Sequence, residues 1–106
     1  MGCIRYDKLV RDRIPEIIES GGKTPVTDVM SPDETFEALC AKLSEEVGEY
    51  LESYTVEEMA DILEVLHGLS ENRGIPWNRI EEARVNKREE RGGFTRGIRL
   101  IEVRDD

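Results

Sequence analysis

The residues most able to do chemistry are a ladder of carboxylates. Glu45-Glu46-Val47-Gly48-Glu49-Tyr50-Leu51-Glu52 is followed, after a short gap, by Glu57-Glu58-Met59-Ala60-Asp61. Read as E-E-x-x-E and then E-x-x-D, the two stretches place acids at helical spacing. Two carboxylates about 5 Å apart repel by about 3 kcal/mol at an effective dielectric near 20. Such a set must face water or hold a cation. An all-oxygen donor set suits Mg²⁺ or Mn²⁺.

The elements that must position these acids are legible on either side of them. Ser31-Pro32-Asp33-Glu34 is a helix start, with Ser31 as cap, Pro32 in the first turn and Glu34 closing a capping box. This helix is expected to run to about Ser53. Thr55-x-x-Glu58 has the form of a second capping box, opening a helix to about Asn72 with Gly74 just beyond it. So short a connection makes the two helices antiparallel neighbours. Glu46, Glu49 and Glu52 precede the turn and Glu58 and Asp61 follow it, so the two sets can face each other.

Helical unrolling at about 100° per residue separates the faces. In the first long helix Phe36, Leu39, Cys40, Leu43, Val47, Tyr50 and Leu51 fall on one apolar arc. Glu45, Glu49 and Glu52 lie opposite, and Glu46 sits at the border. A solvated acidic face accounts for that helix equally well. In the second, Met59, Ile62, Leu63, Val65, Leu66 and Leu69 form the stripe, with Glu58 inside it and Asp61 at its edge. A bare carboxylate on a packing face is costly. A capping bond back to Thr55 would account for Glu58, but not for Asp61 one turn on.

Elsewhere the pattern is simpler. Pro15 opens a short helix through Ile17 and Ile18, which Gly21-Gly22 ends. Residues 23–30 read as a weak strand or extended segment, and Ile98, Leu100, Ile101 and Val103 as a C-terminal strand that could pair with it. Pro76 opens a last helix that Arg91-Gly92-Gly93 breaks. Two groups of cations flank the acids: Lys8, Arg11 and Arg13 near the start, and Lys87, Arg88 and Arg91 at the end of the last helix. Lys87 and Arg91 are spaced i, i+4 and share a face. Cations beside a metal-carboxylate site are what a polyphosphate needs, although ordinary pairing with Glu89 and Glu90 also fits them.

Bulk properties narrow the classes. With 106 residues, one domain over 1–106 is expected. Charged residues at 37% and aromatics at 6% favour a helical protein. The net charge of −9 argues against binding a nucleic-acid polymer. It leaves open a nucleotide held through metal. Cys3 and Cys40 have no pairing pattern, and no apolar run suits a membrane span, so a soluble cytoplasmic protein is expected. His67 is the only histidine, which excludes a multi-histidine zinc site within one chain.

Taken together, these segments resemble the all-α nucleoside triphosphate pyrophosphohydrolase superfamily, which includes MazG-like proteins. The E-E-x-x-E…E-x-x-D pair carries that resemblance. The opening Tyr6-Asp7-Lys8-Leu9-Val10-Arg11-Asp12-Arg13-Ile14-Pro15-Glu16-Ile17-Ile18 and the late Lys87-x-x-x-Arg91-Gly92-Gly93-Phe94 resemble its small phosphoribosyl-ATP pyrophosphohydrolase-like branch. The resemblance implies a mainly α fold, with the helical hairpin contributing to a four-helix-bundle core and short extended segments at both ends. It implies Mg²⁺ ligands at Glu46, Glu49, Glu58 and Asp61, with Glu45 and Glu52 behind them or as alternative ligands. It also implies cleavage between the α- and β-phosphates of a nucleotide, releasing pyrophosphate. Glu45 or Glu49 would be the general base. Lys87, Arg88 and Arg91, together with Lys8 and Arg11, would hold phosphates.

The breadth of the apolar arcs leads to an expected homodimer or tetramer in which hairpins complete one another's core. The rival reading is a non-catalytic acidic helical module that binds a protein partner or senses metal or nucleotide.

Overall fold

The computed structural model describes residues 2–105 and is mainly α. It contains α1 (Ile14–Ser20), α2 (Pro32–Ser53), α3 (Val56–Arg73) and α4 (Trp77–Arg91). The helix limits follow local chemistry. At the start of α2 the Ser31 hydroxyl accepts from the Glu34 N–H at 3.2 Å, and the Glu34 carboxylate accepts from the Ser31 N–H at 3.1 Å. The capping box is thus closed in both directions. α3 starts with Thr55 accepting from the Glu58 N–H at 3.2 Å. It ends where Gly74 turns left-handed at φ +68, a conformation glycine adopts without a Cβ penalty.

Residues 2–74 and 75–105 form two compact parts, each described by itself. The first is built on the antiparallel pair of α2 and α3. Only Tyr54 and Thr55 join these helices. Tyr54 closes α2 in the left-handed region, at φ 57 and ψ 28. That conformation costs a non-glycine residue about 1 kcal/mol. Its ring packs edge-on against Tyr50, with centroids 5.9 Å apart and planes at 89°, which offsets part of the cost.

At the other end of the hairpin, Asn72 Nδ2 donates to the Pro32 carbonyl at 3.1 Å, and the Arg73 guanidinium lies over the Phe36 ring at 3.5 Å. Between the ends the helices approach closely at Gly68, where a Cβ would stand 3.1 Å from Leu39 Cδ2. Leu39 and Val65 are the buried apolar side chains among the described residues.

The rest of the apolar arcs are only partly covered. Val47, Leu51, Met59, Leu63 and Leu66 are exposed, and so is Cys40, which helical unrolling assigns to the packing face. A two-helix pair offers each helix one neighbour, so an arc wider than that contact stays in water.

The expected strands do not form: residues 23–30 and 98–103 carry no regular secondary structure. Val26 and Val29 are 97% and 96% exposed, and Ile98, Leu100, Ile101 and Val103 are exposed as well. β-propensity in a short segment yields a strand only where a neighbouring strand satisfies its backbone and covers a face. Among the described residues no helix is long and apolar enough to cross a membrane.

Candidate metal centre

The hairpin brings three carboxylates together from both of its arms. One oxygen each from Glu46, Glu58 and Asp61 lies within 4.8 Å of the others. Glu46 comes from α2, about two turns before the helix ends. Glu58 and Asp61 lie one turn apart at the start of α3. The two-residue connection is what sets these stretches side by side.

Glu46 is buried at 8% exposure, and Glu58 and Asp61 are half-buried. Glu46 Oε2 and Glu58 Oε2 are buried without a hydrogen-bond partner. Unpaired buried carboxylate oxygens are costly, and native proteins rarely keep them without a ligand or water. Capping occupies the Glu58 backbone N–H, but the Glu58 carboxyl belongs to the cluster.

The electrostatics agree with the geometry. Burial raises the Glu46 carboxyl above its ordinary 4.5. A hydrogen bond with Glu49 and the charges of Glu49 and Asp61 add to the rise, and Lys42 opposes it. Burial also raises Glu58, with the charges of Glu49 and Asp61 and a hydrogen bond with Glu49 adding. Both shifts have the sign that crowding of like charges in a partly buried cluster produces, and a divalent cation would oppose them.

Glu49 lies outside the 4.8 Å trio but near enough that its charge helps raise both Glu46 and Glu58. Glu45 is turned to Lys8, with Nζ 3.6 Å from Oε1. Glu52 is exposed. Arg11 reaches the trio directly, its Nη2 donating to Asp61 Oδ1 at 2.8 Å. Lys42, which sequence reasoning missed, places Nζ 3.9 Å from Glu46 Oε1. Its i, i+4 spacing to Glu46 is the signal that could have found it.

A shallow cavity of about 220 Å³ has two acids, Asp7 and Glu45, and two lysines, Lys8 and Lys42, among its lining residues. Through Lys42 and Glu45 it adjoins the carboxylates. On α4, Lys87, Arg88 and Arg91 are exposed, and the Arg88 guanidinium lies against Gly93, where any Cβ would collide with it.

An uncharacterized protein of Mycolicibacterium smegmatis (strain ATCC 700084 / mc(2)155) is 60% identical over 42 residues, covering 40% of this chain and 43% of that protein. The match therefore spans under half of the relative's length. No family model and no solved structure matches the chain.

Proposed function

We propose that this protein is a Mg²⁺-dependent nucleotide pyrophosphohydrolase of the all-α, MazG-like kind, cleaving between the α- and β-phosphates of a nucleoside triphosphate or phosphoribosyl-ATP-like substrate. The observation that carries the reading is the Glu46, Glu58 and Asp61 trio, with two of its oxygens buried and unpartnered. Mn²⁺ suits the same donors. Glu46, Glu58 and Asp61 would hold the cation, with Glu49 completing the set or acting beside it. Bound there, a divalent ion supplies neutralisation of phosphate charge and a lowered pKa for an attacking water.

The chain's own residues supply the rest. Glu49 adjoins the trio yet remains exposed, which suits it better as general base than Glu45, already engaged by Lys8. Lys8 and Arg11 would bind phosphates as charge-assisted donors, and Lys87, Arg88 and Arg91 on α4 are a separate exposed set of the same chemistry.

The exposed apolar side chains of α2 and α3 favour a homodimer or tetramer, whose hairpins would complete a four-helix core. The free thiols Cys3 and Cys40 fit a reducing, cytoplasmic setting.

The deciding experiment measures pyrophosphate release across a nucleotide panel, with and without Mg²⁺. Release that requires metal and vanishes in Glu46→Gln and Asp61→Asn supports the reading. No release from any nucleotide, with metal binding intact, sinks it and leaves the non-catalytic module, for which the exposed face of Val56, Met59, Leu63 and Leu66 would be the partner surface. Light scattering that returns a 12.1 kDa particle would remove the oligomer.

A further inference from the structure

Arg11 occupies an unusual place. It belongs to the irregular lead-in before α1, yet its guanidinium reaches fifty residues along the chain to Asp61, at 2.8 Å. Asp61 is one of the three carboxylates that would hold the cation. The contact is a single Nη2 bond, and the Arg11 side chain is 55% exposed. Lys8 makes a parallel attachment to Glu45. The lead-in is therefore tied to the hairpin at two carboxylates, one of them inside the trio.

We propose that Arg11 is an exchangeable counter-ion of the carboxylate cluster. In the metal-free protein it neutralises Asp61. When Asp61 takes a divalent cation, the guanidinium is released and turns to the phosphates of the incoming substrate. The inference rests on the metal reading above and adds an order to it: cation first, then phosphate, with Arg11 passing from one to the other.

Three physical points support the exchange. A guanidinium and a divalent cation on one carboxylate repel each other, and half-exposed surroundings screen them only in part. The ion pair is exposed enough to break at small cost. Arginine's planar fork matches a phosphate as well as a carboxylate, so the released side chain has a second partner of the right geometry.

The rival role is orientation, in which Arg11 stays on Asp61 and holds it for the metal, as outer partners of metal-bound carboxylates do. The two roles predict opposite signs. Under exchange, Arg11→Ala removes a competitor. Calorimetric titration with Mn²⁺ alone should then show about three- to fivefold tighter binding, the range a surface ion pair can withhold. With Mn²⁺ saturating, inorganic tripolyphosphate should bind Arg11→Ala about tenfold more weakly than the parent, as loss of one charge-assisted contact implies.

Arg13→Ala removes the same charge from the same segment, but Arg13 pairs with Glu16, so it should change neither affinity appreciably. Arg11→Lys keeps the charge and should fall between the parent and Arg11→Ala. Amide exchange at residues 7–12 should speed up on adding Mn²⁺ to the parent and slow again with tripolyphosphate.

Weaker Mn²⁺ binding in Arg11→Ala would overturn the exchange in favour of orientation. Equal Mn²⁺ binding in both chains, or equal tightening in Arg13→Ala, would overturn it while leaving the metal site standing. Absence of Mn²⁺ binding from both the parent and Arg11→Ala would overturn the metal reading itself, and the exchange with it.

Discussion

The two ends of the α2–α3 hairpin are built on opposite principles. At the end away from the turn, the groups that close the helices are paired. Ser31 and Glu34 close a reciprocal cap, Asn72 caps the Pro32 carbonyl, and Arg73 covers Phe36. At the turn end, Glu46 and Glu58 each keep a buried oxygen without a partner, and like charges crowd both groups. The same residue type shows the contrast. Bonds to Ser31 hold Glu34 below its ordinary 4.5, whereas burial pushes Glu46 and Glu58 above it. One end is arranged for stability; the other stores a cost that a ligand could relieve.

The largest effect should come from the contact that holds both ends in register. Leu39 is buried against Gly68. Leu39→Ala should destabilise by about 2–5 kcal/mol, read as a lower urea midpoint. Metal binding should weaken with it, since the two arms of the trio depend on that packing. Retained affinity in a strongly destabilised variant would separate the site from the packing and break the comparison.

Metal should act next, and only at the turn end. At a free-ion concentration ten times Kd, a ligand specific for the folded state adds about 1.4 kcal/mol. Mn²⁺ should therefore raise the melting temperature, and chelator should reverse the gain. In Glu46→Gln the gain should largely disappear while the metal-free protein melts higher, because an unpartnered buried charge has been removed. Glu34→Gln should leave the gain intact.

The capping end gives a slightly smaller effect of opposite character. Ser31→Ala should cost about 1 kcal/mol, with no change in Mn²⁺ affinity by calorimetry. A loss of metal affinity there would mean the two ends are coupled more tightly than their contacts imply.

The smallest effect is a tilt in the pH profile. Folding raises the Glu46 and Glu58 carboxyls, so the folded state binds more protons than the unfolded one above about pH 4.5. Their contribution is fully present below that value and is lost as pH rises through the raised values. Glu34 works the other way: its contribution is present above 4.5 and is lost as pH falls. Metal-free melting temperatures should thus decline from pH 4.5 upward, and saturating Mn²⁺ should flatten that decline. A metal-free profile that rises over the same window would show that the turn-end carboxylates are not held protonated.

The sequence alone carries what depends on near neighbours. Ser31, Glu34, Thr55 and Gly74 set helix ends through bonds spanning three or four residues, so α2 and α3 stand within a residue or so of where the pattern puts them. The expected strands fail to form for the converse reason. Val26, Val29 and residues 98–103 have strand-like composition, but a strand is completed by a distant partner, which composition does not contain.

By itself, then, the sequence determined a helical hairpin with a two-residue connection and a set of acids on both sides of it. It did not determine which acids meet. That depends on how α2 and α3 are rotated about each other, and the fit of Leu39 at Gly68 is one close approach that helps set it. Of the four acids expected as ligands, the tertiary structure gathers Glu46, Glu58 and Asp61 and leaves Glu49 outside the trio; it also turns Glu45 to Lys8 and brings Arg11 to Asp61. Capping is decided by a few bonds within one turn; convergence of side chains from separate elements is decided by packing, which is non-local.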